Sequence, residues 1–266
     1  VLSKHLESQV AIHENGSLFL ALSGDLMLLI FRTVFLTLYF PIVCLVGLVI
    51  CLFRPFNRNN SRLIAILFGY ARFILGVRLT IGPQPESIQA IYVTNHQSTL
   101  DMFLYGESLP DDMAILGKHS LGYIPLFGLI FWLAGNLFIN RGDKSKAHGA
   151  MQVAADIVKD KGCSVYIFPE GTRSNGRGLL PFKAGAFILA IEAGLPIVPL
   201  CASSTHKNIN LNRWNAGECR IEQLPPVSTE GLSRKDAKAL AQEVQELMKA
   251  RIDLMDAEIA QDEGRT

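Results

Sequence analysis

A chain of 266 residues is long enough for one domain with a substantial core and short for two. With 25 Lys and Arg against 24 Asp and Glu, its net charge of +1 excludes attraction of the whole chain to nucleic acid or another polyanion. Five cysteines, an odd number without a CxxC pair, argue against a disulfide framework or zinc site and fit a reducing compartment.

Residues 1–26 share neither the charge pattern nor the periodicity of the rest of the chain. They are read as an extension, with Met27 a candidate natural start and a native extension or cloning remnant as alternatives. From Met27 to Pro85 there is no Asp or Glu, while Arg32, Arg54, Arg58, Arg62, Arg72 and Arg78 are present, a pattern that suits an anionic membrane surface. Within it, Thr33 to Phe53 is uncharged for 21 residues and reaches roughly 30 Å as a helix, enough to cross a bilayer despite Pro41. The run exceeds a signal-peptide core and no small-residue cleavage site comes after it, so it is expected to be retained. Arginines come next in "RPFNRNNSR", which places the C-terminal bulk on the cytoplasmic side. A second run, "LIAILFGYARFILGV", is too short to cross and is expected to return along the interface, with a core helix as the alternative. A third, Leu121 to Ile139, is broken by Gly122, Pro125, Gly128 and Gly135 and reads as buried core.

From Val77 onward, strand-like runs alternate with helical ones: "VRLTI", "AIYVTN", "DMAILGK", "NLFIN", "CSVYIFP", "PIVPLC" and "ECRIEQL". "KSKAHGAMQVAADIVKD" and "KAGAFILAIEAG" read as helices that end near Gly162 and Gly194. This alternation implies an α/β sheet. The last helix carries Leu240, Val244, Leu247, Met248, Ile252, Met255 and Ile259 on one face, and Ser233 with Asp236 frames its start as a capping box. The expected division is 1–26 extension, 27–76 membrane-associating helices and 77–266 globular domain.

"NHQSTLD", Asn95 to Asp101, comes directly after a strand. On a continuous helix His96 and Asp101 would point roughly 140° apart. If Ser98 caps a helix whose third residue is Asp101, His96 remains on the loop and can fold back to the carboxylate. The plain alternative is that Asp101 only caps and His96 only satisfies a turn. "FPEGTRS", Phe168 to Ser174, leaves another strand at the edge where α/β sheets gather ligands. There Gly171 permits close backbone approach and Arg173 offers a fork for phosphate or carboxylate. Arg141 in "GNLFINR" and Lys118 in "LGK" end two further strands, with solvated strand ends as the alternative for both.

These blocks, with "LPIVPL" as a fourth, occur in an order that resembles the glycerolipid acyltransferase family, and among its members the bacterial ones acting on lysophosphatidate. The likeness runs from about Met27 to near the C-terminus. It implies an acyltransferase domain with a mixed central sheet flanked by helices, preceded by an N-terminal helical membrane motif. It also implies transfer of a fatty acyl group from acyl-CoA or acyl-carrier protein to the sn-2 hydroxyl of 1-acyl-sn-glycerol 3-phosphate, giving phosphatidic acid at the cytoplasmic side of a bacterial inner membrane. By the same resemblance His96 is the general base, Asp101 orients it, and Lys118, Arg141, Glu170, Gly171, Thr172 and Arg173 form the substrate site, Glu170 as organiser of the arginine loop. The backbone near Gly171 is a candidate oxyanion donor. Membrane lipids are expected partners; no cofactor, metal or nucleic acid is implied. Transfer to glycerol 3-phosphate or another lysolipid, or non-catalytic lipid binding, are the competing readings.

Overall fold

The structure is a computed structural model that describes residues 24–85, 87–139, 154–156, 158–159 and 162–264. Three helices, α1 (Gly24–Phe53), α2 (Asn59–Gly69) and α3 (Ala71–Leu75), lead into β1 (Val77–Ile81). Then come β2 (Ile91–Thr94), α4 (Asp101–Leu104), β3 (Met113–Lys118), α5 (Phe127–Leu133) and β4 (Leu137–Ile139). They are followed by β5 (Ser164–Ile167), α6 (Gly185–Ala193), β6 (Ile197–Ala202), α7 (Thr205–Asn208), β7 (Gly217–Gln223) and α8 (Ala237–Asp262).

Every strand expected from the β-branched runs forms. They make one seven-stranded sheet in the order β1-β7-β6-β2-β5-β3-β4. The pairing is parallel except between β6 and β7, so the sheet is mixed. The strands β6, β2, β5, β3 and β4 therefore all present their C-terminal ends to one edge. The central strands β2 and β5 are buried at every residue, as strands covered on both faces must be. One face packs Ile91, Val93, Val165 and Ile167 on α6 and α8. The other carries α1, α2 and α3, whose Val43, Cys44, Ile64, Phe68 and Leu75 join Phe103, Leu104, Cys219 and Ile221 in one cluster.

α8 starts from the expected Ser233–Asp236 capping box. Its buried stripe is Leu240, Val244, Met248, Ile252, Met255 and Ile259, but Leu247 is exposed. A stripe stepping by four from 240 to 252 leaves position 247 a residue short of the seam, about 100° from Met248. α6 ends at Gly194 in the left-handed conformation, as expected. The expected helix over 144–160 lies largely outside the described residues, as do residues 1–23.

Among the described residues, four of the six arginines in the acid-free segment are paired with carboxylates. Arg58 pairs with Asp112, Arg62 with Asp111, Arg72 with Glu107 and Arg78 with Glu218. The carboxylates come from far along the chain, so the charge asymmetry visible locally is partly offset by the fold. Arg32, on α1, is buried and donates to the carbonyls of Ile74, Leu211 and Trp214. Near the other end of that helix, the Phe56 amide donates to the Leu133 carbonyl at 2.8 Å and the Phe56 ring meets Trp132 edge-on. The 30-residue helix, about 45 Å long, is thus held near both ends by one folded body. It is long and apolar enough to cross a membrane by length and composition, yet only 22% of its most apolar stretch is buried. Met27, Phe31, Val34, Leu38, Ile42, Leu45, Val49 and Leu52 form an exposed stripe at helical spacing.

The second apolar run forms α2 and α3, with Ile64, Phe68, Ala71 and Leu75 buried against the domain. The third is broken into short pieces as its Gly and Pro positions imply, but it is not wholly core. Ile130, Phe131 and Ile139 are buried, whereas Tyr123, Ile124, Leu129 and Trp132 are exposed. Replacing Arg32 by methionine would leave three partly buried carbonyls without this donor and is expected to cost about 1–3 kcal/mol. Thermal unfolding in detergent would register this as a lower Tm than wild type.

Candidate active site

The chain leaves β2 at Thr94, and the next three residues are fixed in turn. The Asn95 side chain mimics a strand neighbour. Its Nδ2 donates to the Ala202 carbonyl and its Oδ1 accepts the Ala202 amide, both at 2.9 Å, tying the ends of β2 and β6. Gln97 is buried, donates through Nε2 to Tyr105 Oη (3.1 Å) and the Ser203 carbonyl (2.8 Å), and accepts the Thr205 amide at 2.8 Å. Between these anchors stands His96, its side chain 20% exposed.

The chain then turns into α4. Ser98 Oγ accepts the Leu100 amide at 3.0 Å, and the Asp101 carboxylate returns to the Ser98 amide at 3.1 Å and the Gln97 amide at 2.7 Å. Only half of the expected box forms: the carboxylate returns to the Ser98 amide, but Ser98 Oγ takes the Leu100 amide, and the helix starts at Asp101, which is its first residue and not its third. His96 stays off the helix, and Asp101 Oδ2 reaches His96 Nδ1 at 2.6 Å. Asp101 is 3% exposed, so its carboxylate is filled by three protein donors and shielded from water. A carboxylate at Nδ1 places that nitrogen's proton in the pair and leaves Nε2 as the acceptor. Phe168 stacks on the imidazole at 4.0 Å between centroids, fixing the plane of the ring.

The loop after β5 docks directly on this turn. The Ser174 amide donates to the His96 carbonyl and the Asn175 amide to the Gln97 carbonyl, each at 2.9 Å. Glu170 Oε1 accepts the His96 amide at 2.6 Å and Oε2 accepts the Leu180 amide at 3.0 Å. Glu170 therefore joins the histidine turn to the arginine loop, and it does so with both oxygens engaged. Burial pushes its carboxyl up to about 7, against the two backbone N–H bonds that pull it down. A carboxyl raised in the folded state favours folding below the ordinary carboxylate range and loses that contribution as pH rises through about 7. The loss is of order 3 kcal/mol by the usual conversion of such a shift. Glu170→Gln is expected to flatten the fall in stability between about pH 4.5 and about pH 7, and urea unfolding at several pH values in that window would measure it.

Gly171 has φ +70°, and its amide donates to the Phe168 carbonyl at 3.1 Å. That amide is consequently engaged in the turn. Among the described residues the Thr172 and Arg173 amides donate to no protein group, which makes them the loop's better oxyanion candidates. Thr172 and Arg173 are exposed, and among the described residues the Arg173 side chain has no ion pair. Lys118 ends β3, the neighbour of β5, and is exposed on the same edge. Arg141 lies outside the described residues.

The structure thus brings His96, Asp101, Glu170, Gly171, Thr172 and Arg173 together. The spacing of motifs did not reveal Asn95, Gln97, Tyr105 and Phe168. The polar residues on either side of the histidine were the available signal, since buried amides at a strand end must find partners.

A carboxylate-held imidazole, on a turn to which the Arg173 loop is hydrogen-bonded at the C-terminal edge of this mixed sheet, is suited to taking the proton of a hydroxyl that attacks an acyl group. The chain belongs to the acyltransferase family, whose family model matches residues 80–203. It is 39% identical over 90% of its length to the 1-acyl-sn-glycerol-3-phosphate acyltransferase of Salmonella typhimurium, covering 98% of that protein. Similarity to the enzyme of the same name from Escherichia coli K12 is 38% over the same shares of both chains. Among solved structures it resembles the 1-acyl-sn-glycerophosphate (LPA) acyltransferase of Thermotoga maritima. The TM-score is 0.66 at 26% identity, over 88% of this chain and 96% of that one.

Proposed function

We propose that this acyltransferase moves a fatty acyl group from an acyl thioester to the sn-2 hydroxyl of 1-acyl-sn-glycerol 3-phosphate, producing phosphatidic acid. The observation that carries this reading is the His96 Nδ1 contact with Asp101 at 2.6 Å, on the turn to which the loop of Arg173 is bonded. His96 Nε2 takes the proton of the acceptor hydroxyl as its oxygen attacks the thioester carbonyl. The tetrahedral intermediate collapses with cleavage of the C–S bond, and the proton on Nε2 passes to the leaving thiolate. Asp101 holds the ring and offsets the charge of the imidazolium. All five cysteines are buried and none belongs to this loop cluster, which supports direct transfer over an acyl-enzyme. Arg173, with Lys118 and Arg141, selects the phosphate of the acceptor. Coenzyme A and acyl-carrier protein both present the donor as a thioester, and either serves this chemistry.

The membrane seat rests on α1. A helix held near both ends by the domain offers a bilayer its side, and the stripe from Met27 to Leu52 together with Tyr123, Leu129 and Trp132 supplies an apolar contact surface. The site would then lie at the headgroup level on the cytoplasmic face of a bacterial inner membrane, where a lysolipid presents its hydroxyl. Division into a membrane-associating part before residue 77 and an acyltransferase domain after it belongs to the same proposal.

Purified full-length protein in mixed micelles, given labelled oleoyl-CoA or oleoyl-acyl-carrier protein, should form phosphatidic acid from lysophosphatidate. Glycerol 3-phosphate and monoacylglycerol should serve poorly. No product with either donor, or a preference for glycerol 3-phosphate, would refute the assignment.

A further inference from the structure

We infer that Lys183 is a second cation for the acceptor's phosphate, acting with Arg173 of the same loop; the inference rests on the phosphorylated acceptor proposed above. The segment after the arginine loop folds back over it. The Leu180 amide reaches Glu170 Oε2 at 3.0 Å, and the Lys183 amide donates to the Pro169 carbonyl at 2.9 Å. This brings the Lys183 side chain across the open face of Gly171. A β-carbon on Gly171 would stand 2.8 Å from Lys183 Nζ, 3.1 Å from Cδ and 3.2 Å from Cε. The glycine therefore makes room for the lysine stem as well as for its own positive φ.

The charges around this loop are unequally committed. Arg177 is folded onto backbone, with Nε on the Ser174 carbonyl at 2.8 Å and Nη2 on the Arg173 carbonyl at 3.0 Å. Glu170 is the near carboxylate, and each of its oxygens already accepts a backbone amide. Among the described residues neither Lys183 nor Arg173 has a carboxylate partner, whereas Arg58, Arg62, Arg72, Arg78, Arg220 and Arg251 all do. The Lys183 ammonium lies over a glycine whose neighbour, Glu170, is bonded to the backbone of the catalytic histidine, and Arg173 stands two residues further along the same loop. A phosphomonoester carries close to two negative charges, and a guanidinium fork with a mobile ammonium matches it in charge and in donors. Lys183 also borders an open cleft with Lys238, Gln242, Gln245 and Glu246. Glu246 and the neutral amides dilute the charge there, so the Gly171 side is the stronger anion site.

The test is steady-state kinetics of the full-length enzyme in mixed micelles, varying lysophosphatidate and oleoyl-CoA separately, with Lys183→Met and Lys183→Arg. Methionine keeps the stem and removes the charge. The expected result is a rise of about tenfold in KM for lysophosphatidate, the loss of one charge-assisted contact, with kcat and donor KM unchanged. Arginine should restore most of the acceptor KM. Transfer to monoacylglycerol, which has no phosphate, should be the same in Lys183→Met as in wild type. An unchanged acceptor KM, a rise confined to the donor KM, or an equal loss with monoacylglycerol would overturn the inference. So would a common loss in both variants accompanied by a lower Tm, which marks a packing role. A wild-type enzyme that ignores lysophosphatidate would instead refute the proposed function.

Discussion

His96→Ala is expected to lower kcat by about 10²- to 10⁴-fold at saturating donor and acceptor, the range that a positioned general base supplies. The fold should survive the change. The turn is held by Asn95 on Ala202, by Gln97 on Ser203 and Thr205, and by the Ser174 and Asn175 amides, none of which uses the imidazole. KM for both substrates should therefore move little, and circular dichroism and Tm should match wild type. Asp101→Asn should cost a comparable factor for a different reason. An amide in place of the carboxylate can donate to Nδ1, which would move the ring proton to Nε2 and remove the acceptor. It would also turn an N–H donor toward the Gln97 amide, which the carboxylate accepts at 2.7 Å, so its Tm should fall as well. Near-normal turnover in His96→Ala would remove the histidine from the chemistry.

Arg173→Ala is expected to lower kcat/KM for lysophosphatidate by about 10- to 100-fold, since a charge-assisted contact to phosphate contributes roughly 1.5–3 kcal/mol. The loss should fall mainly on KM, and oleoyl-CoA should be used with unchanged KM. Lysine at this position would return charge without the planar fork and should recover only part of the loss. Equal impairment toward a phosphate-free acceptor would show that the guanidinium supports the loop and not the ligand. Titration of acceptor against each variant distinguishes these outcomes directly.

Much of this architecture is legible in the sequence. Strand identity comes from β-branched runs bounded by Gly and Pro, and the parallel edge then collects His96, Glu170 to Arg173 and Lys118 without further assumption. The return of the Asp101 carboxylate to the Ser98 amide is legible because a three-residue spacing is a local property, whereas the exact start of the helix is not. The hidden features are long-range. Arg58, Arg62, Arg72 and Arg78 look like a basic membrane face because their partners, Asp112, Asp111, Glu107 and Glu218, lie 35 to 140 positions away. Glu170 can be placed beside the arginine, but not as the link to the His96 amide, because that contact depends on two loops meeting. The run from Leu121 to Ile139 is half exposed although its composition is that of a core. Hydropathy records which side chains avoid water, not whether protein or lipid replaces it.

The clamping of α1 near both of its ends has a kinetic corollary. A domain on a flexible tether samples many heights and tilts above a surface, whereas a rigidly bolted one has a single standing height. On the proposed membrane the reactive nitrogen would meet its lipid by two-dimensional diffusion alone. Initial rates in vesicles should then track the mole fraction of lysophosphatidate in the leaflet and stay constant when vesicles of fixed composition are diluted in buffer.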